Sequence, residues 1–285
     1  MKYAFLNTAS ALCFVGSMLV QPAALAAQEL PPLPKALKDA GVIRIGVKCD
    51  SPPFGFSGPD GKPVGIEVEM AKQIGVYAFG SADKAVLSCV SSDARIPALN
   101  GGKIDAVLAT LGKTQARAEV IDFTHSYYWG TSTVIVAKDS KVQKLADFEG
   151  ETVIVLKGGS QAKWFRDNMP NVDLMQLNTA ADSVQALVQG RGEGYSADGE
   201  VIATVSGNYP QLRVVEEGFD LGANGIGLRK NEPELKAFLD AAIKKMKTDK
   251  FHASVVKKFV DSPALQAKMV QNYETDAPPE AEMRK

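Results

Sequence analysis

Short β-branched runs alternate with stretches of helical periodicity along most of this chain. That alternation confines it to α/β layers built on parallel sheets. Val42–Cys49, Ala85–Val90 and Ile104–Thr110 read as strands. Between them Ile66, Met70, Ile74 and Tyr77 recur at helical spacing, with Glu67, Glu69 and Lys72 expected on the wet side. A short helix through Ile96 and Leu99 is expected to stop at Asn100-Gly101-Gly102. The same grammar restarts with strands over Thr133–Ala137 and Thr152–Leu156. A helix opened by Gly158-Gly159-Ser160 follows, then one carrying Val184, Leu187 and Val188. Leu235, Phe238, Leu239, Ala242 and Met246 mark an amphipathic helix, and Val255, Val256, Phe259 and Val260 mark another. Two such groups suggest two lobes, which a length of 285 residues accommodates. The polar tail 263–285, with Pro278-Pro279, is expected to fray.

Charge and composition then remove whole classes of function. Lys+Arg 32 against Asp+Glu 33 leaves a net charge of -1, so no basic field exists to hold nucleic acid or an anionic membrane surface. Three Cys and two His, without a Cys-x-x-Cys or a paired His, argue against a metal site. His125 and His252 lie far apart, and neither adjoins a nucleophile motif such as Gly-x-Ser-x-Gly. Carboxylate pairs such as Glu67/Glu69 and Asp198/Glu200 occur in any chain with 33 acids and are read as solvated faces. No catalytic residue and no cofactor are expected.

Residues 1–26 read as a secretory signal peptide: Lys2, an apolar run from Ala9 to Val20, Pro22, and Ala24-Leu25-Ala26 as the cleavage pattern. The run is shorter than the roughly 20 residues a membrane span needs. A lipoprotein anchor at Cys13 is disfavoured by Leu12 and by the apolar residues that continue past it. Export to an oxidising compartment leaves Cys49 and Cys89 as the expected mature thiols. Each ends a predicted strand, so they bridge if those strands are neighbours; otherwise they are buried thiols.

Three places offer chemistry. Gly158-Gly159-Ser160 follows a strand and opens a helix, where free backbone N–H groups make an anion site, although a plain glycine turn has the same form. It is not a Walker loop, since no Gly-Lys-Ser/Thr follows. Arg117, in the loop Ala109–Arg117, has the guanidinium fork that suits a carboxylate, or is a solvated loop arginine. Lys48 and Asp50 sit at the carboxyl end of the first strand, where open α/β sheets place their ligands.

These features occur in one known order. From Val42 to about Val260 the chain resembles the extracellular solute-binding proteins of polar amino-acid ABC transporters, which are type II periplasmic binding proteins. The resemblance is carried by Ile45-Gly46-Val47-Lys48-x-Asp50-x-x-Pro53-Phe54, Gly65-Ile66-Glu67-Val68-Glu69-Met70-Ala71 and Arg95-Ile96-Pro97-Ala98-Leu99-x-x-Gly102-Lys103-Ile104-Asp105-Ala106. It continues through Ala109-Thr110-x-x-x-Thr114-x-x-Arg117, Ile121-Asp122-Phe123-Thr124-x-x-Tyr127-Tyr128, Gly159-Ser160 and Gly190-Arg191. It implies two α/β lobes, 40–129 plus 225–262 and 130–224, joined by a hinge of two crossover strands that closes on the ligand. It also implies a periplasmic monomer that binds a free amino acid and delivers it to an ABC permease in the inner membrane.

By the resemblance, Arg117 matches the arginine that takes the α-carboxylate, assisted by Ser160, and Asp198 matches the acid that receives the α-ammonium. Thr110 and Leu111 match positions whose backbone or hydroxyl groups meet the same zwitterion. Two positions depart from the pattern. Ser51 stands where many relatives carry an aromatic residue, and Gly112 where many carry Ser or Thr. Lys48 and Arg95 instead look like the acidic-amino-acid branch, where two cations hold a side-chain carboxylate. Glutamate or aspartate is the expected ligand. A neutral polar or broad amino-acid range is the alternative, followed by a periplasmic dehydratase on the same fold.

Overall fold

The computed structural model describes Met1 and residues 30–284, so the rest of the expected signal peptide lies outside the described residues. The chain enters through α1 (Lys35–Ala40) and β1 (Ile43–Val47), then makes a small antiparallel sheet of β2 (Asp50–Ser51), β3 (Gly55–Ser57) and β4 (Pro63–Val64). Helix α2 (Ile66–Phe79), β5 (Ala85–Cys89), α3 (Arg95–Asn100), β6 (Ala106–Leu108) and α4 (Gln115–Val120) follow. The long strand β7 (Asp122–Ala137) leads to β8 (Thr152–Leu156), α5 (Ser160–Asn168), β9 (Asp173–Leu177), α6 (Ala180–Val188), β10 (Gly194–Asp198), α7 (Gly199–Asn208) and β11 (Leu212–Val214). Strand β12 (Phe219–Leu228) returns, and α8 (Pro233–Thr248), α9 (Phe251–Phe259) and α10 (Pro263–Glu274) close the chain.

Nine strands form one mixed sheet in the order β5-β1-β6-β12-β7-β10-β8-β9, with β11 also on β7. The predicted parallel sets are present at the two ends: β5, β1 and β6 run parallel, as do β10, β8 and β9. Between them β7 and β12 run antiparallel, from Leu228 opposite Asp122 to Phe219 opposite Ser132, with three register breaks on the way. Sequence patterning showed only the second part of β7, Thr133–Ala137. The stretch before it, rich in aromatic residues, Ser and Thr, lacks the aliphatic alternation that marks a strand, and its partner β12 carries three glycines.

The largest apolar cluster spans both ends of the sheet, from Ile45 on β1 to Ile154 on β8 and Tyr195 on β10, and each end adds a smaller one. Leu99, Val107, Leu111 and Ile121 cluster beside β6, while Val134, Phe148, Val153 and Phe165 cluster around β8. Phe148 and Phe165 are fully buried, and each contributes about 1.5–3 kcal/mol by leaving water. Helix α2 ends at Gly80, whose left-handed φ of 78° closes the last turn. Its apolar stripe of Ile66, Met70 and Ile74 is buried as the spacing predicts, but Glu67 is buried with it rather than solvated. Among the described residues, no helix is long and apolar enough to cross a membrane.

The tail is not frayed. Ser262 caps α10 by accepting from the Leu265 N–H at 3.4 Å, and Pro263 occupies the first turn, where its missing N–H is harmless. Met269 and Tyr273 are fully buried, and the Tyr273 ring lies 4.6 Å from the imidazole of His252 and 4.5 Å from the ring of Tyr128. Burial of these side chains outweighs the polar character of the rest of the segment.

Strands β1 and β5 are parallel neighbours, with Val47 opposite Cys89, and this brings Cys49 and Cys89 together as a disulfide with Cα atoms 5.5 Å apart. The cross-link joins residues 40 positions apart, a loop whose closure restricts the unfolded chain. Replacing both cysteines with serine is expected to lower the unfolding free energy by about 3–4 kcal/mol in a urea titration without reductant. A loss below about 1 kcal/mol contradicts a stabilising role.

Candidate functional site

Residues singled out in the sequence stand at the carboxyl ends of strands from both ends of the sheet, the place where open α/β sheets bind ligands. Lys48 follows β1, Thr110 follows β6, Gly158 to Ser160 follow β8, and Asp198 ends β10. Thr110, Ser160 and Asp198 line one cleft together with Ser51, Ser92, Arg95, Gly112, Arg117, Gln161, Tyr195 and Asn224, and with Arg284 from the tail.

Arg117 is set by local structure. Thr114 caps α4 by accepting from the Arg117 N–H at 3.2 Å. The Arg117 guanidinium donates to the Gly112 carbonyl at 2.6 Å and across the cleft to the Gly158 carbonyl at 2.9 Å. A guanidinium carries more donors than these two carbonyls accept, so the fork retains capacity for an anion. Burial lowers its pKa to about 9, helped by the positive charges of Arg95 and Arg284, and it stays protonated at neutral pH.

Arg95 is 2% exposed and donates to the carbonyls of Ala109 at 2.6 Å, Thr110 at 3.0 Å and Gly158 at 3.4 Å. Its Nε is buried without a hydrogen-bond partner. Gly158 therefore receives both arginines, and its φ of 77° suits glycine. A Cβ there would lie 2.7 Å from the Cα of Asp93, so only glycine lets the two sides of the cleft approach this closely.

Thr110 lies at the bend of the same loop with φ of 45°, an unfavourable conformation for a β-branched residue that typically costs about 1–3 kcal/mol. Glu67 holds it there. Both carboxylate oxygens accept from the Thr110 N–H at 3.0 Å, and Tyr127 donates its hydroxyl to the same carboxylate. The sequence reading assigned Glu67 to solvent because it flanks the apolar stripe. Its position in the first turn of α2 instead aims it at the backbone of Thr110. Glu200 is likewise buried, 3.1 Å from the Lys268 amine, because it begins α7 beneath α10. Glu69 agrees with the solvent-side reading and pairs with Lys72 at 2.8 Å.

On the opposite side, Asp198 accepts from Gln161 Nε2 at 3.0 Å, and that amide also donates to Ser132 Oγ at 3.0 Å. Gln161 thus orients the carboxylate. Ser160 donates to Asp220 at 3.0 Å, and desolvation pushes the Asp220 carboxyl above its ordinary range. Gln161, Asp220, Tyr195 and Arg284 carried no sequence signal, since each takes its role from tertiary placement.

Lys48, Asp50 and Leu111 stand apart from the lining. Lys48 is fully buried, with Nζ 2.7 Å from Asp50 and 3.2 Å from Ser92 Oγ. Desolvation lowers its pKa, and the Asp50 charge opposes that shift. The Leu111 side chain packs into the apolar cluster beside β6, while its carbonyl accepts from the Gly225 N–H at 3.2 Å. No group of three or more potential metal ligands occurs among the described residues.

Burial, opposed by the bonds from Tyr127 and Thr110, pushes the Glu67 carboxyl from 4.5 up to about 7. The folded protein then holds this proton more tightly than the unfolded chain. The stability it contributes is fully present below about pH 4.5 and is lost as the pH rises through about 7. Glu67→Gln is expected to flatten the dependence of Tm on pH across that window. A thermal-melt profile parallel to that of the wild type contradicts this.

The bacterial extracellular solute-binding proteins, family 3, match residues 43–262. The chain is 29% identical to the ABC transporter glutamine-binding protein GlnH of Bacillus subtilis, over 80% of this chain and 85% of that one. It is 33% identical to a glutamine-binding protein of Geobacillus stearothermophilus, over 68% and 75%. The solved solute receptor for L-cysteine of Neisseria gonorrhoeae superposes with a TM-score of 0.76 at 28% identity, over 81% of this chain and 97% of that chain. These relatives are receptors rather than enzymes, which removes the dehydratase alternative. A cleft between the carboxyl ends of two strand sets, crossed by β7 and β12, belongs to such receptors: the chain is a member of the family 3 bacterial extracellular solute-binding proteins.

Proposed function

We propose that this protein is the periplasmic amino-acid-binding component of an ABC importer, with acidic amino acids preferred. The observation that carries the reading is the placement of Arg117 and Asp198 on opposite sides of one cleft. A free amino acid is a zwitterion, and each of its charges must be matched on leaving water. Arg117, with Ser160 nearby, takes the α-carboxylate, and Asp198, oriented by Gln161, takes the α-ammonium. Thr110 presents its hydroxyl to the same ligand, since its N–H is engaged by Glu67 and its carbonyl by Arg95.

The moving parts are the lobes 40–129 plus 225–262 and 130–224, with β7 and β12 as the hinge and the segment 263–284 laid over it. A ligand that touches both lobes binds the closed form better than the open one and shifts the population toward it. The closed form is what the permease in the inner membrane reads. The protein acts as a monomer and is exported through the signal peptide 1–26.

The acidic preference rests on Arg95 more than on Lys48. Arg95 reaches the cleft wall with Nε unpartnered, whereas the Lys48 amine is engaged by Asp50 and Ser92. The names of the glutamine-binding relatives favour a second reading, a neutral polar ligand held by the same clamp.

Titration calorimetry of unfolded, ligand-stripped and refolded protein against the twenty amino acids separates the two. Glutamate or aspartate is expected to bind at about micromolar strength or better, and glutamine at least about tenfold more weakly. Glutamine binding as tightly as glutamate replaces the acidic reading with the neutral one. Arg117→Met is expected to weaken binding by about 2–5 kcal/mol, enough to abolish a micromolar signal. An Arg117→Met protein that binds at wild-type strength overturns the clamp.

A further inference from the structure

The segment after α10 runs back across the mouth of the cleft. Glu282 pairs with the Lys113 amine at 2.7 Å and accepts from Ser126 Oγ at 2.9 Å. The Arg284 N–H donates to the Lys113 carbonyl at 3.0 Å, and the Arg284 carbonyl accepts from the Gln115 N–H at 2.9 Å. This strap is anchored on the same loop that carries Arg117.

From that anchor the Arg284 side chain enters the cleft. Its Nη1 donates to Ser160 Oγ at 2.8 Å, and its Nε lies 3.4 Å from Asp220 in a side pocket that shares Arg117 and Ser160 with the cleft. Both partners of the ion pair are about nine-tenths buried. Glycines make the space. A Cβ at Gly222 would fall 1.6 Å from Arg284 Nε, and one at Gly112 would fall 2.6 Å from Nη1. Any side chain at Gly222 would displace the guanidinium.

We propose that Arg284 is a specificity-determining residue, a tethered guanidinium that neutralises Asp220 and thereby keeps amino acids with basic side chains out of the cleft. The inference rests on the reading of this cleft as an amino-acid site, not on which amino acid it prefers. Asp220 is the carboxylate a cationic side chain would seek beside Ser160. An arginine or lysine ligand must compete with a guanidinium held in place at an effective concentration of about millimolar. It must also tolerate the positive charges of Arg95 and Arg117 with no carboxylate left to offset its own. Discrimination of this kind comes from occupying the competitor's partner. Once Arg284 is removed, Asp220 is a buried acid without its cation, and a basic ligand supplies one.

The test is calorimetric titration of wild-type, Arg284→Ala, Arg284→Gln and Arg284→Ala/Asp220→Asn proteins with arginine, lysine and the wild-type ligand, with thermal melts to show that each is folded. Both single variants are expected to gain at least about tenfold in affinity for arginine or lysine relative to wild type. The double variant is expected to lose that gain. Folded Arg284 variants that bind basic amino acids no better than wild type overturn the inference. So does a gain that persists without the Asp220 carboxylate. Wild-type protein that binds no amino acid overturns the reading of the cleft instead, and that result is read from a different titration.

Discussion

Two guanidiniums converge on one carbonyl, and the geometry of the cleft depends on that contact. Arg95 opens α3 after β5 and Arg117 lies in the first turn of α4 after β6, while Gly158 belongs to the turn after β8 at the other end of the sheet. These bonds tie the two strand sets together at the point where they face each other. Neither arginine has a salt-bridge partner among the described residues, and both are held by backbone dipoles. A buried cation placed this way is only partly compensated, and its residual field favours an anion in the cleft. Glu67 fixes the geometry by holding Thr110 at a positive φ, so the loop that leads to Arg117, and whose carbonyls receive Arg95, has one shape.

The rest of the fold serves that arrangement. β7 and β12 are the long antiparallel pair that joins the parallel sets, and their register breaks let each strand turn from one set into the other. The disulfide Cys49–Cys89 ties the ends of β1 and β5 immediately before Asp50 and Ser92, which hold the Lys48 amine. Fixed elements thus deliver short loops, and the loops deliver charges. The tail adds a third guanidinium, that of Arg284, so the cleft wall is drawn from residues spread over most of the chain.

Much of this was legible in the sequence because it is encoded locally. The strands Ala85–Cys89 and Thr152–Leu156 and the helices α5, α8 and α9 follow from periodicity and turn residues. Arg117, Ser160 and Asp198 are singled out by motif order, and the fold brings all three to the wall of one cleft. The unread parts depend on what meets what. Glu67 and Glu200 looked solvated because charge predicts exposure, yet Glu67 meets donors from distant elements and Glu200 meets the Lys268 amine of α10. Arg284 sits in a polar tail whose pattern says nothing of the cleft it enters. The stretch from Asp122 to Ser132 hid its strand because it lacks aliphatic alternation and takes its place in the sheet from pairing with the distant β12.

A crystal structure of the protein with its tightest-binding amino acid tests the central claim most directly. The account predicts the ligand in the cleft with its α-carboxylate on the Arg117 guanidinium and its α-ammonium within hydrogen-bond distance of Asp198. An amino acid bound elsewhere, or one whose carboxylate is held by other groups while Arg117 keeps only its carbonyl partners, would contradict it.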